Sequence, residues 1–314
     1  MAKTLYIVVP CYNEQEVLKE TAKRLYRKLA ELVHTKKIHY NSKVLFVNDG
    51  SKDATWEMIK IIHEELSSFA AIDLAKNSGH QNALFAGLMV AKDRADYVIS
   101  MDADLQDDID AVDEMVEKAD EGFDIVYGVR SSRERDSFFK RTSAVCFYKI
   151  MRAMGVDIVY NHADYRLMNK AALDALSKFK EVNLFLRGLV PMIGLSTATV
   201  TYKRGPRFAG VSKYPLRKMI KFAMEGLTSL SVKPIRMITV IGLLSFIASM
   251  IMLIYFIYDY FQGGTIAGWA STIVSIWAIG GLQLLAIGII GEYIGKIYLE
   301  VKERPRYIIR EELR

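Results

Sequence analysis

Apolar and polar positions in the first half of the chain alternate between two periods, which predicts a doubly wound α/β domain. Thr4–Val9 is a β-rich apolar run closed by Pro10. From Glu14 to Val33, the residues Val17, Leu18, Ala22, Leu25, Leu29 and Leu32 recur at three- and four-residue spacing, the mark of a helix with one buried face. Lys43–Asn48 reads as a second strand, Asp53 as the cap of a helix running to Leu66, and Ala70–Leu74 as a third strand. The loop Lys76–Gly79 enters a helix over His80–Ala91, and Tyr97–Met101 is a fourth strand. Asp110–Glu121 reads as a polar-faced helix, and Phe123–Tyr127 as a fifth strand ending at Gly128.

The second half changes character. Met237–Tyr258 and Tyr260–Gly291 contain no charged residue. Both runs exceed the roughly 20 residues a helix needs to cross a bilayer. Arg217, Lys218, Lys221, Lys233 and Arg236 precede the first run, and Lys296, Lys302, Arg304 and Arg306 follow the second. The connecting segment Asp259–Gly268 has neither Lys nor Arg. The positive-inside rule then places both chain ends in the cytoplasm and the connection outside. These flanks account for much of the net charge of +6 and suit an anionic lipid surface, whereas no nucleic-acid-reading motif accompanies them. Asp136–Met154 and Tyr214–Leu230 mix aromatic and basic residues as amphipathic interfacial helices do, although the same apolar faces would also pack on an α/β core. Cys11 and Cys146 lack metal-site spacing and read as reduced thiols.

Candidate chemistry gathers at the carboxyl ends of the expected strands, where such sheets bind ligands. Those rims read Pro10-Cys11-Tyr12-Asn13-Glu14, Asp49-Gly50-Ser51, Lys76-Asn77-Ser78-Gly79, Asp102-Ala103-Asp104 and Gly128-Val129-Arg130. Tyr12 can stack on a base, Asp49 can accept from a base or ribose, and Gly50 and Gly79 permit positive φ. Strand alternation would bring Asp102, Asp104 and Gln106 to one point, and three hard oxygen ligands suit Mg²⁺ or Mn²⁺ held with substrate phosphates. Taken alone, D-x-D also fits an acidic loop with a helix cap. No G-x-G-x-x-G and no P-loop motif occurs, which argues against those phosphate cradles.

Val8–Glu14 (V-V-P-C-Y-N-E), Val47–Asp53 (V-N-D-G-S-K-D) and Met101–Asp107 (M-D-A-D-L-Q-D) resemble the family 2 glycosyltransferases of GT-A fold. Gly128-Val129-Arg130, Phe138–Arg141, Ala163–Leu167, Phe185–Gly188, Gly210–Tyr214 and Gly291–Gly295 extend the resemblance over essentially the whole chain, to the polyprenyl-phosphate glycosyltransferases with two transmembrane helices. The resemblance implies a GT-A (Rossmann-like) catalytic domain over 1–210, a juxtamembrane amphipathic segment over 211–234, two spans over 235–295 and a cytoplasmic tail over 296–314. It implies that Pro10, Tyr12, Glu14, Asp49, Asp102 and Lys213 hold the nucleotide sugar, with Ser212 and Lys213 on a loop that closes over the donor phosphates; a linker to the juxtamembrane helix is the alternative for these two. Asp102, Asp104 and Gln106 would hold Mg²⁺ or Mn²⁺, and Arg130, Lys140 and Arg141 the acceptor phosphate. Asp164 and Asp104 would be catalytic, with Asp164 either a general base or an orienter of hydroxyls; a turn aspartate paired with Arg166 is the plainer alternative.

The implied reaction is a single inverting transfer from a nucleotide sugar, with UDP-glucose or UDP-GlcNAc favoured, to a polyprenyl phosphate at the cytoplasmic membrane face. The implied partners are donor, lipid acceptor and bilayer, a homo-oligomer (a tetramer by resemblance), and a downstream flippase and second glycosyltransferase, with no nucleic acid. A lipid-hydroxyl acceptor such as diacylglycerol, or a non-catalytic nucleotide-sugar-binding scaffold, are the rival readings. Asn161-His162-Ala163 departs from the family pattern, and the absence of Q-x-x-R-W sets the chain apart from processive polysaccharide synthases.

Overall fold

The computed structural model describes residues 2–131, 162–205, 231, 233–262 and 268–314. In chain order the elements are β1 (Leu5–Cys11), α1 (Leu18–His34), β2 (Lys43–Asn48), α2 (Thr55–Glu65), β3 (Phe69–Leu74), α3 (His80–Lys92) and β4 (Tyr97–Ser100). They continue with α4 (Ala111–Asp120), β5 (Ile125–Arg130), β6 (His162–Asn169), α5 (Lys170–Ser177), α6 (Leu186–Met192), β7 (Thr197–Tyr202), α7 (Lys233–Phe261), α8 (Trp269–Val301) and β8 (Ile309–Leu313).

The strands form one sheet in the order β7-β5-β6-β4-β1-β2-β3-β8. β1, β2, β3 and β4 run parallel, which fits their near-continuous apolar sequences with helices on both faces. Leu5, Ile7 and Val9 point to the layer of α1, α2 and α4, while Tyr6 and Val8 meet α3. The expected amphipathic stripe of α1 is real: Leu18, Ala22, Leu25, Leu29 and Leu32 are all buried.

Several boundaries differ from expectation. β1 continues through Pro10 to Cys11, with Pro10 opposite Val47. β4 ends opposite Val8, so Pro10 lies where the ladder on its N–H side has run out and its missing donor forfeits no bond. α1 begins at Leu18 rather than Glu14, because the amides of Asn13 and Glu14 donate to Ser51 Oγ and Thr55 Oγ1 of the neighbouring rim. Arg130 lies inside β5, opposite Tyr202 of β7, instead of beyond the strand's end.

α7 and α8 have 29 and 33 residues. At about 1.5 Å per residue each is longer than the roughly 30 Å hydrocarbon layer. Most of their described apolar side chains are exposed, and both helices are long and apolar enough to cross a membrane. The interfacial segments 136–154 and 214–230 lie outside the described residues. Residues 296–314, expected as a tail, do something else. They complete α8 and then return to the sheet, where β8 pairs antiparallel with β3. Arg310 forms an ion pair with the fully buried Asp73, and Arg94 forms one with Glu312. The chain before and after the two long helices therefore belongs to one sheet.

Candidate active site

The rims after β1, β2 and β3 form one side of the site. Tyr12 is 38% exposed, while Asn13 takes a left-handed φ of 54° and accepts from Lys52 N through Oδ1 at 2.9 Å. Asp49 is buried, and its two carboxylate oxygens accept from Ser78 N at 2.6 Å and Gly79 N at 3.0 Å. It therefore staples the loop 76–79 to the end of β2. Withdrawal from water raises its pKa, and the two backbone amides act against that rise. Gly50 and Gly79 have φ of 62° and 88°, as the sequence leads one to expect. At Gly50 a Cβ would lie 2.6 Å from Asn77 N, so only glycine lets the two rims touch.

The acidic loop leaves β4 earlier than expected, and strand alternation does not arrange its carboxylates. Residues 103 and 104 are in a turn, Leu105 takes a φ of 55°, and Thr21 of α1 donates to Ala103 O at 2.9 Å. Asp104 accepts from Gln106 N at 3.2 Å. Gln106 turns away: its Oε1 accepts from Arg204, and its carbonyl accepts from Gly205 N at 2.8 Å. Asp107 is buried, accepts from the Tyr202 hydroxyl at 2.5 Å, and lies 3.9 Å from Arg130 Nη2. Burial and the charge of Asp102 push the Asp107 pKa up to about 6, against the pull of Tyr202 and Arg130.

Asp164, on β6, is the electrostatic centre. Its side chain is 4% accessible, and Oδ1 accepts from Arg166 Nη2 at 2.6 Å. Oδ2 accepts from Arg187 Nη2 at 3.0 Å and from Gln81 Nε2 at 3.4 Å. Burial opposes the carboxylate's charge, yet the guanidinium of Arg187, then His80 and Arg166, hold its pKa well below the ordinary range. His80 Nε2 stands 3.6 Å from both Asp102 Oδ1 and Asp164 Oδ2, bridging the acidic loop to β6. A carboxylate held ionised by two guanidinium groups makes a poor general base and a good fixed anchor. The pairing with Arg166, the plainer expectation, is present.

The structure thus brings Asp102, Asp104, Asp164 and Arg130 to the rim shared with Tyr12 and Asp49. Gln106 is diverted to Arg204. Lys140, Arg141, Lys213 and its neighbour Ser212 lie outside the described residues. Sequence reasoning passed over His80, Gln81, Asp107, Arg187 and Tyr202. His80 and Gln81 carried a usable signal, since they open a helix directly after a rim loop. Arg187 had only its place in F-L-R-G.

The residues present fit a divalent ion that substrate helps to hold. Burial, with the charges of Asp164 and Asp104, raises the Asp102 pKa despite His80 and Arg187, the direction expected where carboxylates crowd together and a cation would be welcome. Among the described residues no three His, Cys, Asp or Glu side chains converge to enclose an ion. Mg²⁺ and Mn²⁺ suit such an open set, in which one or two carboxylates leave positions for phosphate oxygens.

Comparison with known proteins agrees with this architecture. Residues 6–177 match the model of "Glycosyl transferase family 2". The chain is 53% identical to "Uncharacterized glycosyltransferase YkoT" of Bacillus subtilis, over 97% of this chain and 90% of that one. It is 39% identical to the "SfII prophage-derived bactoprenol glucosyl transferase" of Shigella flexneri, over 97% of both chains. Among solved structures, mannosyl-3-phosphoglycerate synthase from Rubrobacter xylanophilus superposes with a TM-score of 0.51 at 15% identity, covering 72% of each chain, which shows a shared fold.

Proposed function

The chain belongs to glycosyl transferase family 2, and from that premise we propose that it moves one sugar from a nucleotide sugar to a polyprenyl phosphate at the cytoplasmic face of a membrane. The observation that carries this reading is the state of Asp164, locked between Arg166 and Arg187. A lipid hydroxyl such as that of diacylglycerol needs a base to take its proton. A phosphate monoester, with a second pKa near 6, is already largely dianionic at neutral pH and asks only to be oriented and screened. The relatives named bactoprenol glucosyl transferase, which match over 97% and 98% of this chain, support the same acceptor.

In this proposal Tyr12, Glu14, Asp49 and the backbone at Pro10 frame the nucleoside, and Lys213 meets the donor phosphates. Asp102 and Asp104 hold Mg²⁺ or Mn²⁺, without Gln106. The ion, when bound, screens charge developing on the diphosphate leaving group. Arg130, with Lys140 and Arg141, faces the lipid phosphate, and Asp107 and Tyr202 fix the Arg130 guanidinium in place. Asp164 orients Arg187 and His80 toward the reacting groups. The transfer is a single displacement with inversion at the anomeric carbon. Because β8 returns to β3, a pair of membrane crossings leaves both chain ends on one side, and the basic flanks make that side the cytoplasm. UDP-glucose or UDP-GlcNAc is the favoured donor.

The test is to incubate purified protein in lipid nanodiscs with undecaprenyl phosphate, Mg²⁺ and a panel of nucleotide sugars, and to weigh the lipid products. A polyprenyl-phosphate sugar is expected from one donor. Sugar appearing on diacylglycerol instead, or tight donor binding with no product from any donor, would overturn the proposal.

A further inference from the structure

α8 does not stop where its apolar stretch stops. Trp269–Gly291 is free of charge and, at about 1.5 Å per residue, covers the hydrocarbon layer by itself. The helix then runs unbroken through Glu292 to Val301. Near its end, Glu300 accepts three hydrogen bonds from the loop between α5 and α6: from Val182 N at 2.8 Å, Asn183 N at 2.9 Å and Asn183 Nδ2 at 3.1 Å. A few residues on, Arg306 donates to Phe179 O in the same loop at 2.7 Å and lies 4.6 Å over the Phe85 ring of α3.

That loop leads straight into the site. Leu186 N donates to Gln81 Oε1 at 3.0 Å, Leu186 O accepts from Arg166 Nη1 at 3.3 Å, and the next residue, Arg187, meets Asp164. Only four residues separate Asn183 from Arg187, a short tether along which a shift of the gripped backbone can pass.

We propose that Glu300 is a positioning residue: by gripping the backbone of Val182 and Asn183 it sets where Arg187 meets Asp164, and so ties the seat of the helix pair in the bilayer to the geometry of the transfer site. The proposal rests on the function given above. It makes the second apolar helix part of the catalytic apparatus as well as an anchor.

The test uses full-length protein in nanodiscs, with E300A, E300Q, R187A and the double variant E300A/R187A. Two readouts are taken: sugar transfer to polyprenyl phosphate, and hydrogen–deuterium exchange of peptides spanning residues 178–192. Loss of charge-assisted bonds should lower kcat of E300A about tenfold, with donor KM within about twofold of wild type. E300Q, which keeps one carbonyl acceptor, should recover part of that loss. If Glu300 acts through Arg187, the double variant is no slower than R187A. Exchange should quicken at residues 182–192 in E300A. Losses that multiply in the double variant, or exchange unchanged at 186–192, would overturn the proposal. Should wild type transfer no sugar to polyprenyl phosphate, the function above falls, and the exchange experiment alone decides whether Glu300 holds the arm.

Discussion

Replacing Asp164 with Asn separates an ionic anchor from a proton acceptor. The substitution keeps size and one carbonyl oxygen but removes the charge facing Arg166, whose side chain is 1% accessible. The Arg166 guanidinium would keep its bond to Leu186 O while its Nε stays buried without a partner. Leaving a buried charge uncompensated costs about 3–5 kcal/mol, out of the 5–15 kcal/mol that ordinarily hold a domain together. At about 2–4 °C per kcal/mol for a domain of this size, the unfolding midpoint should fall by roughly 10 °C. Thermal unfolding in nanodiscs measures this, with sugar transfer assayed on the same samples. Transfer should be lost as well, since Arg187 loses its partner. Adding Arg166→Met should recover much of the stability and none of the activity, because it removes the buried charge that the Asn leaves unpaired. An Asn variant that unfolds within about 2 °C of wild type yet transfers no sugar would refute the reasoning and make Asp164 a base acting on the reacting atoms.

Three further outcomes are expected. Asp104→Ala should abolish transfer while leaving the unfolding midpoint unchanged, and EDTA should do the same to wild type, reversibly on adding Mg²⁺ or Mn²⁺; transfer that persists in either case removes the metal assignment. Gly50→Ala, forced to φ of 62° against Asn77 N, should displace the loop 76–79 and raise donor KM with acceptor KM unchanged, at a conformational cost of about 1–2 kcal/mol. Asp113 accepts from Lys37 at 2.9 Å and Lys28 at 3.0 Å; burial opposes its charge, but those two ammonium groups prevail and lower its pKa. Its folded pKa thus lies below the unfolded value near 4, so its contribution is complete above that pH and lost as pH falls through the folded pKa. The stability gap between wild type and Asp113→Asn should be constant near neutrality and close on acidification; a gap that widens in acid contradicts the pairing.

The parallel half of the sheet was legible because each of its strands is buried on both faces and writes an apolar run, and α1 because a single stripe faces the core. The acidic loop was legible as chemistry but not as shape: the turn at Ala103-Asp104, the left-handed Leu105 and the anchor from Thr21 depend on partners far along the chain. For the same reason the contact of Gln106 with Arg204 was not legible. Arg187 and Glu300 reach their contacts across the fold, and no local period announces them. β8 was invisible for a different reason. Ile-Arg-Glu-Glu-Leu carries the charges that blunt an edge strand, and these resemble an exposed tail.

The position of β8 also sets an order of events during synthesis. β3 is made early, and all six of its residues end buried, yet among the described residues its outer edge is paired by 309–313, near the end of the sequence. Until then both apolar helices have still to leave the ribosome, and β3 is an open edge of the kind on which chains associate wrongly. The sheet is finished only after both long helices have been made, because residues 309–313 follow them in the chain. Closure of the sheet is thus tied to the synthesis of both apolar helices, although neither helix contributes a strand to it.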